Sequence, residues 1–373
     1  MKVKLESFLQ EISEKTTEND QYPVLTSSKT GLYLQSDYFN KQVASKDNTG
    51  YKIIRRGQFT YRAMSDTGEF FPNMLECADI GIVSPAYPVF EITRPEIIIP
   101  EFLKYFFKSD SFQYSIASFA QGSTRTSVKF GKMKTVSINL PSIAEQRHIV
   151  EVLDRAQAVV AGREQERQKL DELVKARFIE MFEDGKYPQT TIAELVSGKV
   201  PSVKKDFLPD ETIKYIDISS IDNKQNVMTG YTEYVVKEAP SRAQQHISKG
   251  DIVISTVRPN LRNVAITQYE DNNLVASSGF CVLRASKCLP EYLMAIVTSD
   301  KFTDDMTKVV TGANYPAIKD SDVMSYHVAL PPMELQEQFA EFVKQVDKSK
   351  AVVKKALDEA QLLFDSLMQQ YFG

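Results

Sequence analysis

Three loop clusters in this chain carry residues suited to holding an anionic polymer. Between Ser123 and Asn139 stand Arg125, Lys129, Lys132 and Lys134 with no acid, and Ser123, Thr124 and Thr126 add hydroxyls. Thr60 to Ser65 puts Tyr61 and Arg62 just after a strand-like run. Ser255 to Asn263 puts Thr256, Arg258, Asn260 and Arg262 at the matching place in the second half of the chain. Arginine paired with asparagine matches the guanine and adenine edges exposed in a major groove, and lysines with hydroxyls suit phosphates. Ordinary solvated loops can have the same composition, but here such loops recur at corresponding places in both halves.

Catalytic patterns are missing. No glycine-rich phosphate loop, helical His-Glu-x-x-His or nucleophile elbow occurs, and His148, His246 and His327 lack the spacing of a metal site or a triad. Leu208 to Lys214 has acids beside a lysine, but metal-dependent phosphodiester cleavage needs carboxylates converging from separate elements. Cys77, Cys281 and Cys288 are too few and too irregular for a disulfide framework or a zinc site, and are expected to be buried reduced thiols. The chain reads as a recogniser, not a catalyst.

At 373 residues there is room for two domains plus helical connectors. No apolar run approaches the roughly 20 residues of a membrane span, and the start, MKVKLESFLQEISEK, has no signal-peptide core, so the expectation is a cytoplasmic protein with no membrane partner. The net charge of −4 argues mildly against bulk electrostatic binding of nucleic acid. The acidity lies mostly in the helical segments, however: residues 1–142 carry 17 Lys and Arg against 15 Asp and Glu, which leaves room for a local cationic face.

The elements that must position these loops come in two copies. At an offset of 190, Gly122 falls on Gly312, Lys129 on Lys319, Leu140-Pro141 on Leu330-Pro331, Gln146 on Gln336 and Phe182 on Phe372. Upstream the offset is 193, matching Tyr22 to Tyr215 and Gly57 to Gly250, so a three-residue length difference lies between about Glu91 and Pro100. In each copy a polar loop runs into a strand, then Leu-Pro, then a long helix. Strands are expected at Ile213 to Ser219, Gly250 to Val257 and Ala276 to Ala285, with helical stretches at Phe102 to Phe119 and Glu291 to Val310. The long helices show heptad seams: Ile149, Leu153, Ala156, Val160, Arg163, Arg167, Leu170, Val174, Arg177, Met181, and Phe339, Val343, Val346, Lys350, Val353, Leu357, Ala360, Phe364, Leu367, Tyr371. Each helix, about 55–60 Å long at 1.5 Å per residue, finds its natural partner in its own copy, antiparallel. Arg163, Arg167 and Lys350 in the seam either meet acidic neighbours, form an interface with another subunit, or snorkel outward.

This organisation resembles the specificity subunit of type I DNA restriction–modification enzymes. The residues carrying the resemblance are the twin segments QGSTRTSVKF (Gln121 to Phe130) and TGANYPAIKD (Thr311 to Asp320), the latter holding Asn314, Tyr315 and Lys319. Each is followed by a strand closing in Leu-Pro and by Ala-Glu-Gln or Glu-Leu-Gln opening a heptad helix. The resemblance implies an α+β fold: two similar mixed α/β target recognition domains separated by two long helices that form an antiparallel coiled coil with pseudo-two-fold symmetry. The domains would be residues 1–142 and 185–332, and the helices 143–184 and 333–373. It implies double-stranded DNA as ligand, read as two half-sites about an unread spacer. It also implies two methyltransferase subunits and restriction subunits as partners. S-adenosylmethionine, ATP and magnesium would belong to those partners, with no cofactor on this chain. One departure is that the first domain lacks a clean equivalent of TIAELVSGKVP (Thr191 to Pro201).

A coiled-coil scaffold without DNA specificity accounts equally well for the helices but leaves the loops unexplained. A fused methylating and cleaving enzyme is disfavoured by the missing cofactor-binding glycine motif and Asn/Asp-Pro-Pro-aromatic motif.

Overall fold

The computed structural model describes residues 1–38, 47–119, 126–183, 187–198, 200–312 and 316–373. The chain packs as two compact units, Met1–Glu164 with Lys355–Gly373, and Gln165–Lys354. Each unit therefore combines a mixed α/β domain with one stretch of each of two 40-residue helices, Ile143–Phe182 and Met333–Phe372.

In the first unit the strand Lys2–Lys4 runs antiparallel to Ser137–Asn139, with Val3 opposite Ile138. A four-stranded sheet follows in the order Leu9–Ile12, Val89–Ile92, Phe59–Thr60, Asn73–Met74, and Lys52–Arg55 pairs with Ile80–Val83. The core is rich in phenylalanine: Phe59, Phe90, Phe102, Phe107 and Phe112 are buried together with Ile149, Leu153, Met368 and Phe372 of the long helices. Phe102 and Phe372 lie with ring centroids 5.1 Å apart. Burying one such side chain contributes about 1.5–3 kcal/mol, which makes the helix ends part of the domain core.

The second unit repeats this plan. Gln189–Thr191 pairs with His327–Ala329, a four-stranded sheet runs Thr232–Val235, Thr212–Ile216, Leu274–Ser277, Ala243–His246, and a three-stranded sheet runs Val264–Ile266, Ile252–Ser255, Phe280–Leu283. Phe178 and Phe182 face Phe339 at 5.7 and 5.5 Å, and Asp171 meets Lys350 at 2.7 Å. Moving back along the first helix thus moves forward along the second, so the paired stretches are antiparallel. Every seam position named above is buried or half-buried except Arg163, the coiled-coil-like pairing that the heptads imply.

Buried hydrogen bonds at equivalent positions explain the Leu-Pro-x-x-x-x-Gln spacing. Gln146 accepts from the Ile99 amide at 3.0 Å and donates to the Ile97 and Pro141 carbonyls at 2.8 and 3.0 Å. Gln336 accepts from Leu289 and donates to Pro331, both at 2.9 Å. Each glutamine therefore fastens the start of a long helix to the loop ahead of a short helix, Pro100–Phe106 or Pro290–Val297, whose first position is the proline that tolerates having no amide hydrogen.

Several sequence expectations are corrected. The stretches 102–119 and 291–310 each form two helices, because Ser109 and Ser299 take extended backbone and cap new helices by accepting from Phe112 and Phe302. The run Ala276 to Ala285 is two strands in different sheets, broken at Ser278-Gly279. The first domain does have a counterpart of Thr191 to Leu195: Lys4 to Phe8, a strand end passing into a helical turn, with Leu5 and Phe8 buried as Ile192 and Leu195 are. Cys77 is exposed, whereas burial holds the thiols of Cys281 and Cys288 up at about 12 and about 11.

Candidate nucleic-acid interface

The loop clusters, far apart in sequence, are brought together within each unit. In the first, Thr126–Ser127 pairs antiparallel with Met64–Ser65, and the Val128 amide donates to Ala63 at 3.0 Å. This sets Arg62 beside the segment that carries Lys129. In the second, Val257 bridges Ala317, the Arg258 amide donates to Pro316 at 2.8 Å, and the Ile318 amide donates to Thr256 at 2.9 Å. By the repeat offsets these are the same two segments joined in the same way.

Arg62, Lys129, Lys132, Arg258, Asn260 and Lys319 are exposed. Arg62 approaches Asp66 at 3.6 Å. Arg258 and Arg262 are left-handed, φ 51° and 54°, and bracket the short 3-10 turn Pro259–Leu261. Pro259 is buried beneath that turn, while Arg262 is half-buried, its Nη1 2.6 Å from Asp300. The guanidinium holds the Asp300 carboxyl below its ordinary value. The Thr256 hydroxyl donates to the Gly279 carbonyl at 3.0 Å, so it serves the loop internally.

Tyr61 is corrected as a contact residue. It is wholly buried, and its hydroxyl donates to Val128 at 3.0 Å. It braces the loop junction from inside, and burial raises its phenol above the ordinary value. Ser123, Thr124, Arg125, Asn314 and Tyr315 lie outside the described residues. Of the residues assigned to a subunit interface, Lys350 reaches Asp171 at 2.7 Å and Arg167 reaches the same carboxylate at 3.6 Å, so both serve the helix pair itself, and Arg163 is exposed.

Among the described residues no cluster of His, Cys, Asp and Glu could hold a metal ion. In the acid-lysine run, Asp210 pairs with Lys237 and Glu211 accepts from the Leu208 amide, so the acids support their own loop. Among the described residues no helix is long and apolar enough to cross a membrane. Asn223, Asn226 and Asp300, which hold the second unit's turn, escaped the sequence reading because their partners lie 36 to 38 positions away.

The profile of the family described as type I restriction modification DNA specificity domain matches residues 6–172 and 186–361. The chain is 22% identical over 312 residues to the EcoKI specificity subunit of Escherichia coli K12, covering 74% of this chain and 65% of that one. With the MjaVIII specificity subunit of Methanocaldococcus jannaschii it is 21% identical over 249 residues, 61% of this chain and 59% of that one. The chain thus spans less than two thirds of the length of these relatives. In fold it is similar to the S subunit from M. genitalium, with TM-score 0.51 and 15% identity, covering all of this chain and 96% of that one. A chain from a solved type I R-M system gives TM-score 0.54 and 17% identity, covering all of this chain and 97% of that one.

Proposed function

Since the chain belongs to the family of type I restriction modification DNA specificity domains, we propose that it is the non-catalytic specificity subunit of a type I restriction–modification system. It reads a bipartite DNA target with a fixed spacer and directs adenine methylation and restriction by partner subunits. Residues 1–142 and 185–332 act as target recognition domains, and the helical segments 143–184 and 333–373 fix the spacer. Two methyltransferase subunits and restriction subunits supply the chemistry, with S-adenosylmethionine, ATP and magnesium bound there.

One observation carries this reading: in both units the segment after a central strand is joined to the segment ahead of the long helix, and exposed cations stand at that junction, with Asn260 beside them in the second unit. Arg62 and Lys129 serve one half-site, and Arg258, Asn260 and Lys319 the other. Ser123, Thr124, Arg125, Asn314 and Tyr315 are assigned to the same loops from sequence alone. The exposed arginine and asparagine suit base edges, and the lysines suit phosphates.

The test is to co-express the chain with its methyltransferase partner and map modified adenines across the host genome. A split motif with a constant gap, absent when the chain is omitted, is expected. Methylation independent of the chain would overturn the reading and favour a coiled-coil scaffold.

A further inference from the structure

The Arg258–Arg262 turn is held on every side except the one it presents to solvent. Beneath it Pro259 is buried, and at its far end Arg262 pairs with Asp300. Its carbonyls are bound by a separate hairpin, Ile221–Asp222 with Val227–Met228. From that hairpin Asn223 Nδ2 donates to the Leu261 carbonyl at 2.7 Å, and Asn226 Nδ2 donates to Arg262 at 3.2 Å and Val264 at 3.1 Å. Asn226 is itself left-handed, φ 53°, which aims its carboxamide at the turn. The hairpin turn is shaped in its own right by Asp222, which accepts from the Lys224 and Gln225 amides at 2.9 and 3.2 Å.

A turn with two left-handed arginines is not one that a free five-residue loop would settle into, because L-residues carrying a Cβ disfavour that region. The loop's own amides close it, Leu261 donating to Arg258 at 2.9 Å, Arg262 to Pro259 at 3.0 Å and Val264 to Arg262 at 2.8 Å, and the two carboxamides are the side chains that tie its Leu261 and Arg262 carbonyls to a separate part of the fold. The first unit has a comparable tie: Asn73 lies 3.0 Å from the Ser27 hydroxyl and 2.8 Å from the Ser28 carbonyl, fastening the hairpin Leu25–Ser27 with Leu32–Leu34 to the chain that follows Arg62.

We infer that Asn223 and Asn226 are positioning residues for sequence reading by the second unit: they hold the turn so that Arg258 and Asn260 meet base edges in one register. The inference rests on the DNA-reading function proposed above. Neither asparagine touches a base. They act by confining the backbone from which the reading side chains project, since bidentate base contacts discriminate only when donors are held in place.

The experiment uses the full chain in complex with its methyltransferase partner. Discrimination is the ratio of methylation at cognate sites to methylation at sites with one base changed, scored separately for each half-site. The half-site relaxed by Arg258→Ala identifies the one read by the second unit. In the double variant Asn223→Ala, Asn226→Gly, where glycine keeps the left-handed backbone, discrimination at that half-site should fall about tenfold. Discrimination at the other half-site and the melting temperature of the complex should stay constant. Unchanged discrimination overturns the inference, and so does an equal loss at both half-sites, because a merely structural role would not select one. Should the double variant fail to assemble, Asn226→Asp, which keeps size and shape but cannot donate, decides: the same one-sided relaxation supports the inference and full discrimination refutes it. If the unaltered chain directs no split motif, the underlying functional reading has failed instead.

Discussion

Gln336 and Gln146 are each less than 2% exposed and spend their carboxamides on backbone groups that would otherwise be buried and unpaired. Gln336→Ala strands the Leu289 amide and the Pro331 carbonyl, and should cost about 2–4 kcal/mol, read as a lower urea midpoint. The sequence displayed this glutamine at a repeated position, but its work was invisible there because its partner at Leu289 lies 47 residues away. A second equivalent pair was hidden for the same reason. Gln58 accepts from the Arg55 amide at 2.8 Å and donates to Glu91 at 2.9 Å, whereas Asp251 accepts from the Ser248 amide and from Arg284. The offset of 193 aligns all three positions, so the bridge persists while its donor and acceptor trade places. Arg284→Glu alone sets two carboxylates together and should be severely destabilising. Adding Asp251→Gln recreates the first unit's pair, and a double-mutant cycle should show about 1–3 kcal/mol of coupling. Tyr61 teaches the converse: an aromatic beside an arginine after a strand looks like a contact residue in sequence, and only its neighbours show it to be core.

Among the elements, the long helices were the most legible, because their seams repeat over many turns and nearly every seam residue is at least half-buried. The short helices were less so, since an apolar periodicity continues across Ser109 and Ser299 while the backbone does not. Ser299→Ala should lower stability by about 1 kcal/mol through loss of the cap, measured by thermal unfolding. The helix pair also contains a polar cluster, where Lys350 stands between Asp171 at 2.7 Å and Asp347 at 3.7 Å. Partial desolvation beside the helix pair raises the Asp347 carboxyl, although its side chain is 61% exposed, with Asp171 adding to the rise and Lys350 opposing it. A carboxyl raised in the folded state binds its proton more readily there than in the unfolded chain. Its contribution therefore favours folding less as pH climbs from the ordinary value of 3.8 through the raised one. Asp347→Asn should leave the protein slightly more stable at neutral pH, by a few tenths of a kcal/mol given solvent screening, and should flatten the change in stability as pH rises above the ordinary carboxyl value. A less stable Asn variant at pH 7 would mean that the ion pair with Lys350 outweighs the burial.

For the whole molecule, the gapless offset of 190 across the helices announced two equivalent halves before any contact was known, whereas the junction of loops after residues 60 and 255 with loops before residues 130 and 320 could not be read from spacing. Pairing of short strands such as Thr126–Ser127 with Met64–Ser65 leaves almost no local pattern in sequence, because two residues are too few to show alternation. This junction also resolves the puzzle of net charge. A chain at −4 can still bind DNA if cations are exposed at two loop junctions, even with Asp66 and Asp300 beside two of the arginines, because many of its acids lie along the helices. Binding by the assembled complex should then weaken steeply with salt, because each neutralised phosphate releases counterions. Arg258→Glu separates the roles at this scale. A base-reading arginine, when reversed, should abolish recognition of one half-site and leave the salt slope nearly as it was, while Lys129→Ala or Lys319→Ala should lower affinity on all sequences and reduce the slope by about one. A slope that does not respond to the lysines, or an Arg258→Glu complex that still demands both half-sites, would place the DNA on another face of these domains.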